Sequence, residues 1–198
     1  MINMIQANSI IGFQYISDYI TQYHHNLLIQ QIDTQPWLTD LKRRVQHYGY
    51  KYDYKAKAIN QSLHLGDLPD WLLNLAQRLH YDNLISELPD QVIVNEYLPG
   101  QGISPHIDCV PCFTDTIISL SLGSPCVMEF KNTNTIPVLL EPRSLVVLKD
   151  DARYKWTHSI PARKIDKFPK AGLSGQANEQ RITRERRISL TFRKVILT

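Results

Sequence analysis

Gly102-Ile103-Ser104-Pro105-His106-Ile107-Asp108 places an imidazole and a carboxylate two residues apart. On a strand, side chains at i and i+2 leave the same face, so one short extended segment can aim both groups at a single metal ion. A third ligand is available fifty residues later, at His158 in Tyr154-Lys155-Trp156-Thr157-His158. Two His and one carboxylate on one side of a metal leave the opposite positions open, the arrangement suited to non-haem Fe(II) and O2. His-x-Asp alone is unspecific, and the alternative is a surface histidine beside a turn or capping aspartate. The flanking segments decide between the two.

Those segments have a β texture. From Gln91 onward short runs follow one another: Val92–Tyr97, Ile103–Asp108, Thr116–Leu122, Cys126–Phe130, Ile136–Leu140, Ser144–Leu148, Tyr154–His158 and Ile188–Ile196. Turn residues separate them at Pro99-Gly100, Gly123-Ser124-Pro125, Asn132-Thr133-Asn134, Glu141-Pro142 and Asp150-Asp151. Strands at this spacing predict a sandwich or barrel. Pro161–Glu185, with Pro169, Gly172 and Gly175, reads as a long mobile loop between the last two strands.

Upstream of Gln91 the period changes. Ile16, Tyr19, Ile20, Tyr23, Leu27 and Leu28 predict a helix from Ile16 to Gln30, with Ser17 or Asp18 able to cap it and Asp33-Thr34-Gln35-Pro36 ending it. Leu68-Pro69-Asp70 opens a second helix through about Tyr81, with Trp71, Leu72, Leu75 and Leu79 on one side. The chain is therefore mainly β with N-terminal helices, an α+β organisation.

Three polar patterns stand out. Arg187, Ser189, Thr191 and Arg193 share one face of the last strand, while Ile188, Leu190 and Phe192 share the other. Two guanidinium groups aimed inward need anions, and an Arg fork suits a carboxylate; the alternative is a surface strand in water. Asn95 and Tyr97, also two apart, can offer an amide and a phenol to the same anion, or simply belong to a polar strand face. Tyr48, Tyr50, Tyr52 and Tyr54 alternate with Gly49, Lys51 and Asp53, near Arg43 and Arg44. That predicts a strand with one aromatic face, either a stacking platform for bases or a cover for the core.

Bulk properties bound the rest. A chain of 198 residues with 43% hydrophobic and 21% charged residues suits one packed domain. No run approaches the ~18 apolar residues of a membrane span, and Met1–Gln6 lacks the features of a signal peptide. Three cysteines argue against a disulfide framework and for a reducing compartment, so a cytoplasmic location is expected. Residues 143–198 hold 14 Lys and Arg against 5 Asp and Glu, whereas residues 1–142 hold 8 against 14. The basic third can meet a polyanion or be a solvated surface.

Asn95-Glu96-Tyr97, Pro99 to Asp108, Ser119-Leu120-Ser121-Leu122-Gly123, Val127-Met128-Glu129-Phe130, Trp156-Thr157-His158 and Arg187 to Arg193 together resemble the AlkB family of Fe(II)/2-oxoglutarate dioxygenases, in order, over residues 37–196. Arg43 to Tyr50, Arg143-Ser144-Leu145 and Arg153-Tyr154 are closer still to its branch that hydroxylates a modified wobble uridine in tRNA, the oxygenase domain of AlkB homologue eight. The resemblance implies a double-stranded β-helix, or jelly roll, in residues 91–198, with a helical buttress and lid in residues 1–90, the lid near 37–60. It implies that His106, Asp108 and His158 hold Fe(II), with 2-oxoglutarate and O2 as cosubstrates. Arg187, helped by Tyr97, would hold the distal carboxylate of 2-oxoglutarate, Asn95 and Arg193 would lie near its metal-chelating end, and Ser189 is a further cosubstrate-binding candidate. Arg43, Arg44 and Tyr50, with Arg163-Lys164 as further basic candidates, would meet the substrate.

The implied reaction couples decarboxylation of 2-oxoglutarate to hydroxylation of a C–H bond. An N-methyl product would shed formaldehyde; a hydroxylated carbon chain would keep its oxygen. Repair enzymes of the family carry an acidic group just beyond the metal aspartate, where this sequence has Cys109 and Val110. RNA is therefore expected before DNA as the partner, and oxidative demethylation of alkylated DNA or RNA is the alternative. The tRNA-modifying relative also carries an RNA-binding module and a methyltransferase, so substrate capture by a monomeric oxygenase is expected to depend on its own lid and basic loop or on a separate partner of either kind. Cys109-Val110-Pro111-Cys112 has neither the further ligands of a zinc site nor the βαβ setting of a redox motif, and reads as a loop beside iron that is prone to oxidation.

Overall fold

The computed structural model describes Ala7 and residues 9–171 and 177–197. In chain order its elements are β1 (Phe13–Ile16), α1 (Gln22–Asp33), β2 (Val45–Tyr48), α2 (Asp70–Tyr81), β3 (Gln91–Tyr97), β4 (Ile103–His106), β5 (Ile117–Gly123), β6 (Cys126–Lys131), β7 (Thr135–Leu140), β8 (Leu145–Leu148), α3 (Asp150–Tyr154), β9 (Thr157–Ile160), β10 (Ile165–Ala171), β11 (Ala177–Thr183) and β12 (Arg187–Arg193). A six-stranded sheet runs β1-β8-β5-β12-β3-β2 and a four-stranded sheet runs β4-β9-β6-β7. β10 and β11 form a separate antiparallel hairpin. Among the described residues these sheets stay open rather than joining into a closed barrel, and no helix is long and apolar enough to cross a membrane.

Alternation along the strands makes the six-stranded sheet two-faced. Ile188, Leu190 and Phe192 of β12 join Val92, Val94, Ile118 and Leu120 on one face, and α1 and α2 cover it with Leu28, Ile32, Leu72, Ala76 and Leu79. The opposite face supplies Phe13, Ile117, Val146 and Leu148 to a second core with Phe130, Val138, Leu140 and Ile160 of the four-stranded sheet. The order is thus helices, large sheet, small sheet. Each fully buried Leu or Phe contributes about 1.5–3 kcal/mol. β12 sits between β3 and β5, so both of its edges are satisfied and its polar face is held against the second sheet.

Four local expectations change. The first helix starts at Gln22, not Ile16, because Phe13–Ile16 pairs with β8; Thr21, not Ser17 or Asp18, caps it by accepting from the His24 amide at 3.2 Å. The alternating tyrosines do not form one strand: β2 ends at Tyr48, and Gly49 turns the chain with φ of 73°. Tyr48 then packs on Trp71 of α2, while Tyr50 is buried in the other core against His64. Asp150–Tyr154 is helical, and the strand carrying His158 begins at Thr157. Residues 161–185 contain the β10–β11 hairpin instead of a mobile loop, pinned where buried Asp166 meets Arg184 at 2.6 Å; Gly172 and Gly175 lie outside the described residues, as do Met1–Gln6.

A Cβ built on Gly49 would lie 1.8 Å from the Asp90 carbonyl oxygen. Gly49→Ala should therefore cost at least about 1–3 kcal/mol, the cost of a strained left-handed residue, before the clash is counted. A chemical-denaturation midpoint equal to wild type would show that this turn relaxes freely.

Candidate metal centre

β4 and β9 pair so that His106 lies opposite His158. Asp108 follows two residues beyond His106, past the end of β4. One ligand atom from each of the three side chains lies within 4.8 Å of the others, forming a His-Asp-His facial triad. The two imidazole centroids are 4.3 Å apart, and His158 Nε2 is 3.4 Å from Asp108 Oδ2. His106 Nδ1 lies 2.9 Å from the Ser104 carbonyl oxygen, an acceptor that fixes the tautomer and leaves Nε2 for a metal. Burial lowers the His158 imidazole to about 4, so it is neutral near pH 7, the form that binds metal.

Burial pushes the Asp108 carboxyl up, but the Arg193 guanidinium, with His158 and His106 behind it, holds it well below the usual carboxylate range. Arg193 Nη2 and Nε donate to Asp108 Oδ1 at 2.6 and 2.9 Å, and Nη1 donates to Gln91 Oε1 at 3.1 Å. One carboxylate oxygen is thus committed to arginine, and the other faces the histidines.

A cavity of about 920 Å³ opens beside the triad. Asn95, Tyr97, Arg187, Ser189, Thr191 and Arg193 line it, as their strand faces predict. Arg187 is 2% exposed; Nη2 donates to Ser121 Oγ at 2.9 Å, while Nε and Nη1 are buried with no hydrogen-bond partner. The Tyr97 ring lies 5.5 Å from the Arg187 guanidinium carbon, and among the described residues no carboxylate forms an ion pair with that arginine. A desolvated, unpaired guanidinium facing an open cavity fits an anionic carboxylate such as that of 2-oxoglutarate. Burial also pushes the Tyr97 phenol up, keeping it a neutral donor.

The candidate substrate residues separate. Arg43 lines the cavity and donates through Nε to Asn95 Oδ1 at 2.8 Å. Arg44 lies outside that lining: it forks onto Glu96 at 2.6 and 2.7 Å and stacks over Trp37. Tyr50 is core, not cavity wall. Arg163 is paired with Glu129 and Asp166 at 2.7 and 2.9 Å. Instead, Lys42, Tyr52, Tyr54 and Lys57 join Arg43 in the wall, and Asp108 is the sole acidic residue among the lining side chains.

Two features escaped sequence reasoning. Cys109 and Cys112 are joined in a disulfide, against the expectation drawn from three cysteines; a three-residue separation lets the turn Val110–Cys112 bring them together. Arg153, 2% exposed, donates to the carbonyls of Asp108, Cys109 and Phe113 at 2.8, 3.2 and 3.4 Å. It holds the backbone of the loop that carries the metal aspartate. Its only signal in the sequence was the Arg153-Tyr154 pair within the family resemblance.

The site and the chain match a family model described as the 2OG-Fe(II) oxygenase superfamily over residues 12–193. The chain belongs to that superfamily and is an oxygenase of the AlkB type. It is 39% identical over 201 residues to uncharacterized protein L905 of Acanthamoeba polyphaga mimivirus, covering 98% of this chain and 89% of the relative. It is 36% identical over 198 residues to the tRNA (carboxymethyluridine(34)-5-O)-methyltransferase alkbh8 of Xenopus tropicalis, covering 93% of this chain but 32% of that relative's length. Among solved structures OsALKBH1 superposes with a TM-score of 0.69 at 14% identity, covering 92% of this chain and 96% of that one, a likeness of fold.

Two outcomes follow from the geometry. His47 and His158 are both lowered by burial to about 4 from 6.5. The unfolded chain therefore takes up protons between about pH 6.5 and 4 that the folded metal-free chain refuses, so stability is lost as pH falls through that window. His47→Gln should flatten the dependence of the urea midpoint on pH; an unchanged slope would remove His47 from it. Arg153→Met should weaken iron binding by loosening the Asp108 loop, and retention of wild-type affinity in a metal-competition titration would show the loop holds itself.

Proposed function

We propose that this oxygenase hydroxylates a modified base in RNA, with tRNA bearing a side-chain-modified wobble uridine as the first candidate. The observation that carries the reading is the character of the cavity wall. Lys42, Arg43 and Lys57 line the cavity with Tyr52 and Tyr54, and the one acid of the lining, Asp108, is already committed to Arg193 and the metal position. Such a wall favours a polyanion with a stacked base and offers no carboxylate to a cationic methylated base. The names of the relatives at about a third identity, which refer to tRNA carboxymethyluridine, point the same way. The chain spans about a third of those vertebrate relatives, 32% and 30%, and a separate RNA-binding or methyltransferase partner belongs to the proposal. We read the two facing sheets as the halves of a double-stranded β-helix.

Iron bound with 2-oxoglutarate and O2 supplies the conversion of a C–H bond to C–OH, with 2-oxoglutarate leaving as succinate and CO2. The protein's own groups do the positioning. His106, Asp108 and His158 would hold the metal on one side. Arg187 would grip the distal carboxylate of 2-oxoglutarate with its two unpartnered nitrogens, and Tyr97 would add a neutral hydroxyl. Asn95, which lines the cavity with Ser189, would lie toward the metal-chelating end of 2-oxoglutarate, and Ser189 would contribute to its binding. Arg193 would keep Asp108 ionised and oriented, and Arg43 would steady Asn95 through its hydrogen bond to the amide oxygen.

Oxidative demethylation is the second reading. The probable RNA/DNA demethylase ALKBH6 of Danio rerio is 26% identical to the chain, and a DNA N6-methyl adenine demethylase of Caenorhabditis elegans 27%. Nucleosides from tRNA of cells with and without the protein, compared by mass spectrometry, test the choice. Accumulation of an unhydroxylated uridine without the protein is expected; unchanged tRNA with formaldehyde release from methylated oligonucleotides would move the assignment to demethylation. Asp108→Ala should abolish iron-dependent conversion of 2-oxoglutarate to succinate. Arg187→Ala should weaken 2-oxoglutarate binding by about 2–5 kcal/mol, as losing one partner of a desolvated charge pair does. An unchanged 2-oxoglutarate requirement would remove Arg187 from this role.

A further inference from the structure

The Cys109–Cys112 disulfide takes no part in the chemistry above, and its surroundings single it out. Cys109 is half-buried and lines the cavity beside exposed Val110 and Pro111, whereas Cys112 is buried. Both sulfurs face one acceptor: the Lys57 carbonyl oxygen lies 3.4 Å from Cys109 Sγ and 3.6 Å from Cys112 Sγ. Lys57 belongs to a turn closed on itself. Asp53 and Ala58 exchange backbone hydrogen bonds at 3.2 and 3.4 Å, and Asp53 Oδ1 accepts from the amides of Lys55 and Ala56 at 2.8 and 2.9 Å. Lys57, Tyr52 and Tyr54 form part of the cavity wall. The disulfide thus stands between the basic, aromatic segment of that wall and the loop that carries Asp108.

A disulfide sulfur has no proton to donate, so the oxidised pair gives the Lys57 carbonyl nothing. Once the S–S bond is broken and the sulfurs move apart to van der Waals contact, each carries an S–H that is a weak donor with the Lys57 carbonyl oxygen as the adjacent acceptor. We propose that Cys109–Cys112 is a thiol–disulfide exchange site whose co-reactant is a thiol, and whose redox state fastens or releases the 53–58 turn. A thiolate RS⁻ attacks the accessible Cys109 Sγ. The S–S bond breaks, an RS–Sγ bond forms at Cys109, and Cys112 leaves as a thiolate and takes a proton. A second RS⁻ attacks the sulfur of the bound RS group, forming RSSR and releasing Cys109, which is protonated in turn. Two RSH become one RSSR, and two electrons pass to the protein pair. Reduction gives the turn a hydrogen-bonded anchor on the metal loop; oxidation withdraws it. In the disulfide form Arg153 holds the carbonyls of Asp108 and Cys109, contacts to backbone oxygens that reduction of the sulfurs does not consume, so the switch acts on the cavity wall rather than on Asp108. The inference does not depend on which nucleoside enters the cavity.

The test uses the full chain in glutathione buffers of graded reduced-to-oxidised ratio. Samples are acid-quenched, alkylated under denaturing conditions and weighed as peptides. Cys109 and Cys112 should gain two alkyl groups together in reducing buffer and none in oxidising buffer, while Cys126 is alkylated throughout. Hydrogen exchange on matched samples should be slower at residues 53–58 in the reduced protein by roughly two- to tenfold, the change expected of one net hydrogen bond. The double variant Cys109→Ser with Cys112→Ser keeps hydroxyl donors and should stay protected in both buffers; the double alanine variant should exchange fast in both. A pair that remains open in oxidising buffer, a disulfide that survives reducing buffer, or exchange at 53–58 that ignores redox state would each overturn the proposal.

Discussion

The contact between Asp108 and Arg193, 2.6 Å long, joins the two sheets at the point where the metal ligands meet. Arg193 comes from β12 in the centre of the large sheet, and Asp108 from the segment that leaves β4 in the small one. Both are buried, and a buried charge is costly unless it is paired and hydrogen-bonded. Here the guanidinium takes one carboxylate oxygen and turns the other toward His158. The pair depends in turn on the register of β12 between β3 and β5, which the apolar face packed under α1 and α2 holds. Core packing on one face of a single strand therefore sets the charge geometry on the other.

The uneven charge of the chain finds its explanation in the same way. Much of the basic C-terminal third is matched to acids rather than displayed to solvent. Arg186 bridges Asp33 and Glu96, Arg184 and Arg163 meet Asp166, and Lys194 meets Asp90 at 2.7 Å. These pairs tie the last strands to the N-terminal helical layer, to β3 and to the hairpin. Arg187 is the contrast: as buried as Arg184 and Arg193, it faces the cavity with no ion-pair partner among the described residues. Between Arg187 and Arg193 at the two ends of β12, the absence or presence of a carboxylate partner separates a charge available to a ligand from a structural one.

How much of this was legible varied with the range of the interaction. The second helix was, because apolar spacing and Pro69 act within a turn or two. So were the two faces of β12, because alternation is a property of the strand itself. The tyrosine run was misleading: its alternation was real, but Gly49 turns the chain under the Asp90 carbonyl, a close approach that only the fold imposes. The hairpin was hidden because its buried anchor is an aspartate, and Asp166 counts as a core position only when Arg184 is seen against it.

From the residues alone, the candidate ligands and the polar face of the last strand were readable: alternation fixes the two faces of β12 without reference to the rest of the chain, whereas the strand drawn through Asp108 ends at His106 and His158 comes from β9. The tertiary structure alone decided that Arg43 reaches the cavity while Arg44 is bound to Glu96, that Arg153 clasps the Asp108 loop, that Cys109 and Cys112 meet beneath the Lys57 carbonyl, and that Arg187 is left without an anion. Apart from the short Cys109–Cys112 closure itself, each of these depends on segments far apart in sequence, and a local period carries direction but not the identity of the partner that folding brings to meet it.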